Sequence, residues 1–364
     1  MTHPLSRRVF AACGAAGLGT LAASRFSLAE PPEQTLAAVG RSKGIVVGSA
    51  IRSQPSPEVA EVIARECALV TPENALKPAN ISPLQGRFQW DEAERTYEFA
   101  RANGLEVHGH TLFWYKQPLP WAEAAASGQS LAKTVDLYAD YFAAIMRRFP
   151  DTVSWDVFNE VTGTRSRLRD SFPIAQFGVD FIEAMLHRAR TFAPHATLVI
   201  NENDLECGSG ACRTKRTNTL LLLGALRKRG APLDAVGIQG HLNTAKSPDA
   251  GETLDFVARV EALGYDVFLS ELDVNDIALG EDIRRRDDQV AELYGRFLGT
   301  VLKSKAVKRV AFWGITDAEN WIAEGQTTVR SDRATPRPAL FDRSMGRKPA
   351  YYAVLEALGS APAR

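Results

Sequence analysis

Eight short, continuously apolar runs, at 45–50, 67–71, 105–111, 153–158, 196–200, 235–238, 266–270 and 309–313, alternate along this chain with longer helical stretches. Runs that are apolar throughout, rather than at every second position, are those of strands buried on both faces. That is the condition of parallel strands covered by helices. Among the helical stretches, 91–103 starts at Trp90-Asp91 and stops at Gly104, a glycine suited to the left-handed turn that ends a helix. The stretch 131–148 carries Leu131, Val135, Tyr138, Phe142 and Ile145 as a stripe of 3.6-residue period that stops before Pro150. Further helical stretches cover 175–193, 213–229, 252–263, 289–303 and 349–358. Eight strands alternating with helical stretches predict an α/β fold of (β/α)8 TIM barrel type, a single domain over 43–358 with no linker or second domain.

The first thirty residues follow another pattern. Ser6-Arg7-Arg8-Val9-Phe10 precedes an Ala/Gly-rich apolar run over 11–23, no acidic residue occurs before Glu30, and Ser27-Leu28-Ala29 offers the small residues that a signal peptidase reads. The run is too short and too Gly-rich to span a bilayer. We therefore expect residues 1–29 to be an export signal of twin-arginine type, removed from a periplasmic or secreted protein with no remaining membrane attachment. An N-terminal segment over 30–42 would follow, and 359–364 would form a C-terminal tail. The whole chain sets 43 Lys and Arg against 43 Asp and Glu. Removing the signal takes Arg7, Arg8 and Arg25 from those 43 basic residues and no acid, leaving 40 against 43. That balance offers no attraction to nucleic acid or to an anionic membrane, and fits a neutral partner such as a polysaccharide. Cys13 leaves with the signal. In an oxidising compartment Cys207 and Cys212 can close the short loop between them, whereas Cys67 reads as a buried small residue.

In such a barrel, chemistry sits on the loops after the C-terminal ends of the strands. The residues of functional type fall there. The second strand ends in Thr71-Pro72-Glu73-Asn74, with Lys77 one turn on. The third gives His108-Gly109-His110, then Trp114, Gln117 and Trp121, and the fourth runs Trp155-Asp156-Val157-Phe158-Asn159-Glu160. The fifth ends in Asn201-Glu202-Asn203-Asp204, the sixth in Gln239-Gly240-His241, the seventh in Glu271-Leu272-Asp273, and the eighth leads to Trp313, Asp317 and Trp321. Carboxylates where strands converge are costly unless paired, hydrogen-bonded or used. Glu160 and Glu271 come from opposite sides of the barrel mouth, an arrangement that suits glycoside hydrolysis. One must be protonated to expel the leaving oxygen and the other ionised to attack the anomeric carbon. His241 and Asp273 are placed to keep Glu271 ionised and oriented, and Asn159 to donate to a sugar 2-hydroxyl. The tryptophans offer flat faces for pyranose rings.

Each of these features alone has an ordinary structural explanation. A glutamate after a strand is more often a helix N-terminal charge, and 201–204 reads equally as a helix cap and turn. Polar and aromatic groups at six strand ends together are what carry the reading. His108-Gly109-His110 is also a metal-ligand pattern, and with His241, Glu271 and Asp273 it would make a metal site. Since the chain has six histidines and no further one is placed at a strand end, we expect no metal.

From about Gly44 to Leu358 the motifs resemble those of the family-10 glycoside hydrolases, the barrel xylanases. They are Thr71-Pro72-Glu73-Asn74 with Lys77, Gly109-His110-Thr111-Leu112 with Trp114, Trp155 through Glu160, Gly237-Ile238-Gln239-Gly240-His241, and Ser270-Glu271-Leu272-Asp273. The closing Leu340-Phe341-Asp342 and Lys348-Pro349-Ala350-Tyr351 are similar too. The resemblance implies that Glu160 is the acid/base and Glu271 the nucleophile of a retaining reaction, with carboxyl groups roughly 5–5.5 Å apart. It also implies that Glu73, Asn74, Lys77, His110, Trp114, Gln117, Asn159, Gln239, His241, Trp313 and Trp321 line sugar subsites on the non-reducing side, and that Asp273 holds His241. Tyr115, the order Gln117-Pro118-Leu119-Pro120-Trp121 and the segment 201–204 depart from the family pattern. The last of these leaves Asn203 where an aromatic residue would face the leaving group.

The expectation is thus a monomeric endo-1,4-β-xylanase that needs no cofactor and acts on xylan or xylo-oligosaccharides. A related barrel glycosidase acting on β-glucan or short xylo-oligosaccharides is the nearest alternative. A metal-dependent barrel hydrolase and a sugar-binding protein with a dead site are remote ones.

Overall fold

The computed structural model describes residues 34–325 and 330–364, so the expected export signal lies outside the described residues. The strands are β1 (Val46–Ile51), β2 (Leu69–Pro72), β3 (Glu106–Gly109), β4 (Ser154–Asn159), β5 (Thr197–Glu202), β6 (Ala235–Ile238), β7 (His241–Asn243), β8 (Asp266–Asn275) and β9 (Val307–Phe312). Each from β1 to β5 pairs in parallel with the next; β6 then pairs with β8, β8 with β9, and β9 returns to β1. Eight strands therefore close a parallel barrel, as the apolar runs predict. Three-residue β7 is additional: it continues past Gly240 and lies beside the end of β8, with His241 opposite Asp273.

Helices cover the outside. The stripe on Leu131–Arg148 is buried as expected, with Val135, Tyr138, Phe142 and Ile145 each no more than 5% exposed. Burying side chains of that size contributes roughly 1.5–3 kcal/mol each. The sequence reading named no helix after the first strand, and Pro57–Glu66 fills that place. Ser56 caps it by accepting from the Val59 amide, Pro57 occupies the first turn, and Val59, Val62 and Ile63 face the core.

Both expected domain boundaries need correction. Residues 36–42 form a helix that belongs to the barrel: Leu36 is fully buried and its amide donates to the buried carboxylate of Glu66 at 3.0 Å. The last helix runs on through Pro349–Ser360, and Arg364 donates to the carbonyls of Leu302, Ser304 and Val307. Residues outside 43–358 therefore complete the N-terminal end of the barrel.

Inside the barrel a polar column climbs toward the mouth. Arg309 on β9 donates to Ser154 Oγ (2.8 Å), which meets His108 Nδ1 (2.7 Å). Then His108 Nε2 lies 3.1 Å and His110 Nδ1 2.8 Å from the same oxygen, Asp156 Oδ2. All five residues are buried, a setting in which polar groups are held by such contacts. Gly109, between the two histidines, has no room for a side chain: a Cβ there would stand 2.1 Å from the Trp155 ring.

Candidate active site

Two carboxylates occupy the barrel mouth. Glu160 directly follows β4, where the β4–β5 register shifts between Asp156 and Phe158. Its φ of 57° is left-handed, a conformation a glutamate adopts at a cost of order 1 kcal/mol. Hydrogen bonds on both sides hold that turn: Asn159 N donates to Phe113 O (2.9 Å) and Glu160 N to Asn201 O (2.8 Å). The Glu160 side chain is 4% exposed. Oε1 accepts from Gln239 Nε2 at 3.2 Å, and Oε2 has Lys116 Nζ at 3.4 Å and the Arg169 guanidinium at 3.8 Å.

Glu271 lies on β8 and is 5% exposed. Its Oε1 accepts from Asn201 Nδ2 at 2.6 Å and its Oε2 pairs with His241 Nε2 at 3.2 Å. The other nitrogen of His241 lies 3.0 Å from Asp273 Oδ2, which also accepts from Trp321 Nε1 at 2.7 Å. Burial works to raise the Glu271 pKa, but the His241 hydrogen bond, with the charges of His110 and His241, holds it below the ordinary carboxylate value. Burial likewise works to neutralise His241, and its two carboxylate partners, Asp273 first, prevail and raise its pKa well above 6.5. The triad is a carboxylate–imidazolium–carboxylate set with Glu271 ionised.

Asn201 is the functional residue the sequence reading missed. At the end of β5, fully buried, it donates through Nδ2 to both Glu271 Oε1 and Asn159 Oδ1 (3.1 Å), while its Oδ1 accepts from Ser270 Oγ (2.6 Å). Asn159 Oδ1 also accepts from Gln239 Nε2 at 3.2 Å. The chain Glu160–Gln239–Asn159–Asn201–Glu271 thus ties the two carboxylates together. Gly237 makes room for it, since a Cβ there would lie 2.1 Å from Asn201 Oδ1. The side chain of 201 pointed into the barrel mouth is what matters, and nothing in a four-residue polar run marks which members do so.

A cavity of about 390 Å³ opens over these groups. Lys77, His110, Trp114, Asn159, Glu160, Gln239, His241, Glu271, Asp273, Trp313 and Trp321 line it, so most of the expected residues converge. Lys77, 8% exposed, donates to Asn74 Oδ1 (2.8 Å) and sits 5.1 Å from the Trp114 ring and 5.8 Å from that of Trp313. Burial lowers its pKa, against the pull of Glu271, Glu73 and Glu160. Asn74 and Glu73 are set back from the cavity lining, Glu73 beside Arg52 (3.4 Å). Gln117 does not line the cavity, and the Trp121 indole donates to Ser82 O (3.0 Å) instead of facing sugar. The opposite wall is polar: Asn203, Asp204, Glu206, Asn243, Lys246 and Asn275. Lys246 pairs with Asp204 at 3.0 Å, and burial, reinforced by Asp204, pushes the Glu206 carboxyl up to about 7.

The histidines divide between two carboxylate systems and do not form one cluster. His108 and His110 converge on Asp156, whose pKa they bring down to about 2 although burial works to raise it, whereas His241 serves Glu271 and Asp273. Donor atoms of His110, Asp156 and Glu271 lie within 4.8 Å of one another. In that group the His110 Nδ1–Asp156 contact at 2.8 Å is itself a hydrogen bond that accounts for both burials. Cys207 and Cys212 form the expected disulfide, with Cα atoms 5.7 Å apart, and Cys67 is a buried free thiol.

The pattern of the family described as "Glycosyl hydrolase family 10" matches residues 35–357. The chain is 28% identical over 317 residues to "Endo-1,4-beta-xylanase B" of Thermotoga neapolitana, covering 86% of this chain and 87% of that protein. It is 28% identical over 336 residues to "Thermostable celloxylanase" of Thermoclostridium stercorarium, covering 85% and 84%. The crystal structure of xylanase 10B from Thermotoga petrophila RKU-1 in complex with xylobiose is similar at a TM-score of 0.78 and 26% identity, over 89% of this chain and 97% of that one. The chain belongs to glycosyl hydrolase family 10.

Proposed function

We propose that this family-10 glycoside hydrolase is an endo-1,4-β-xylanase that cuts internal xylosidic bonds with retention of configuration. The observation that carries the reading is the setting of Glu271. It is a buried carboxylate kept ionised by His241 and Asn201, and it faces the same cavity as Glu160. In the first step a Glu271 oxygen attacks the anomeric carbon as the glycosidic C–O bond breaks, and Glu160 delivers its proton to the leaving oxygen. In the second, Glu160 takes a proton from water as that water attacks the anomeric carbon, and Glu271 is released. Two carboxylates and water supply every proton and electron pair, so no cofactor enters. The tryptophan-lined wall with Lys77 and His110 suits several sugar units. The names of the relatives support xylan as the chain attacked.

Export supports the same reading, since a polysaccharide is met outside the cytoplasm. The sequence of residues 1–29 and the Cys207–Cys212 disulfide both favour a periplasmic or secreted enzyme. Among the described residues no helix is long and apolar enough to cross a membrane. A second reading, action on β-glucan as well, is favoured by the celloxylanase name of one relative.

Reducing-sugar release from glucuronoxylan, measured for the wild type, Glu160→Gln and Glu271→Gln with barley β-glucan in parallel, tests this. Release from xylan that collapses in both variants is expected. Release from both polymers would favour the second reading, and a folded wild type inert on xylan and active on β-glucan would overturn the xylanase reading.

A further inference from the structure

The cleft wall made by Lys77, Trp114 and Lys116 continues, outside the cavity lining, into Tyr115 and Arg169, which the reaction as described does not use. Lys77 and Lys116 both approach the Trp114 ring, at 5.1 and 5.4 Å, and Lys116 and Arg169 both approach the Tyr115 ring, at 5.8 and 4.4 Å. Lys116 and Arg169 also converge on a single anion, Glu160 Oε2. The convergence has a consequence in the catalytic cycle. Glu160 must carry a proton when the leaving oxygen departs, and at that moment the two cations have no carboxylate between them. Lys116 is free to turn toward a ligand: its side chain is 50% exposed and lines the cavity. Arg169 is steadier, with its Nε donating to the Glu160 carbonyl at 3.0 Å.

We propose that Lys116 and Arg169 form a subsite for an acidic substituent, taking the carboxylate of a uronic acid branch carried by the sugar chain beside the bond that Glu160 protonates. The proposal rests on the xylanase reading and deepens it. A branch carboxylate in this position pairs with the cations while Glu160 carries its proton. The polar wall opposite does not compete for it, because Lys246 is already paired with Asp204. Lys116 is the discriminating residue. A half-exposed pair contributes modestly and is screened by salt, so the preference it creates is about fivefold and weakens as ionic strength rises.

The test compares kcat/KM for neutral xylohexaose with that for the same hexaose bearing one glucuronic acid branch, in the wild type, Lys116→Met and Lys116→Glu. Because each protein reports a ratio between two substrates, partial unfolding cancels. The acidic-to-neutral ratio is expected to fall about fivefold in Lys116→Met, further in Lys116→Glu, and in the wild type on raising the salt. A ratio unchanged in both variants overturns the subsite while leaving the xylanase reading in place. A wild type that cuts neither oligomer overturns the reading, and the subsite with it.

Discussion

Asn201 Nδ2 stands 2.6 Å from Glu271 Oε1, the shortest polar contact Glu271 makes among the described residues. The amide presents a donor to an oxygen that must stay ionised, and its own oxygen is fixed by Ser270, so the amide cannot turn. Asn201→Ala is expected to lower kcat by roughly ten- to a hundredfold, the range for losing a hydrogen bond to a buried charge. Asn201→Asp sets a second carboxylate against Glu271 and disfavours its ionisation. Its pH–rate profile is expected to lose activity at higher pH on the acid side than the wild type does. An acid limb that stays in place would mean that Asn201 does not touch Glu271.

His241 links the active site to stability. Its folded pKa lies well above 6.5, so its contribution is fully present below that value and is lost as pH rises through the folded pKa. Replacing it by a neutral amide, His241→Asn, also leaves Glu271 and Asp273 buried without a cation. The melting temperature of the variant is expected to lie below that of the wild type at about pH 6, with the gap narrowing toward about pH 9. Thermal scans across that range decide it; a gap that widens with pH would show that His241 is neutral in the folded protein.

What could be read from the sequence follows from where each signal resides. The barrel strands were legible because burial on both faces leaves an unbroken apolar run. Glu160 and Glu271 were legible because they end such runs. Pro57–Glu66 went unnamed although Ser56 and Pro57 mark its start, because ten residues give the apolar stripe only three members. Asn201 was hidden for another reason. Its role depends on the β5 register that sets it beside Ser270 and below Glu271, and pairing between distant strands has no local signature. Gln117 and Trp121 illustrate the converse: the right residue types in the right loop, outside the cavity lining.

The Cys207–Cys212 disulfide closes a loop next to the polar wall of the cleft. Cys207 O accepts from Arg216 (2.7 Å), Glu206 O accepts from the Asp249 amide (2.9 Å), and Cys207 bridges Pro248. The bond thereby anchors two loops that bear Asp204, Glu206 and Lys246. A six-residue loop is worth about 2 kcal/mol in chain entropy. Cys207→Ser with Cys212→Ser is expected to lower the melting temperature by a few degrees and to raise KM more than it lowers kcat, since Glu160 and Glu271 are held elsewhere. Equal thiol counts in native and fully reduced protein by mass spectrometry after alkylation would remove the bond from the account.

Glu206 is a carboxyl that the fold keeps as an acid. Buried beside Asp204 and lining the cleft, it has a folded pKa of about 7 against an ordinary 4.5. A carboxyl with a raised folded pKa binds its proton more tightly in the native state than in the unfolded one. Its ionisation therefore costs stability as pH climbs from about 4.5 to about 7, and above that range the full cost is present. Glu206→Gln keeps the shape and removes the titration. The variant is expected to melt close to the wild type at about pH 4 and above it at about pH 8, with the difference opening across the interval between the two pKa values. A melting difference of the same size at both ends would show that the glutamine acts through packing or hydrogen bonding alone, and that Glu206 does not titrate in the range its burial dictates.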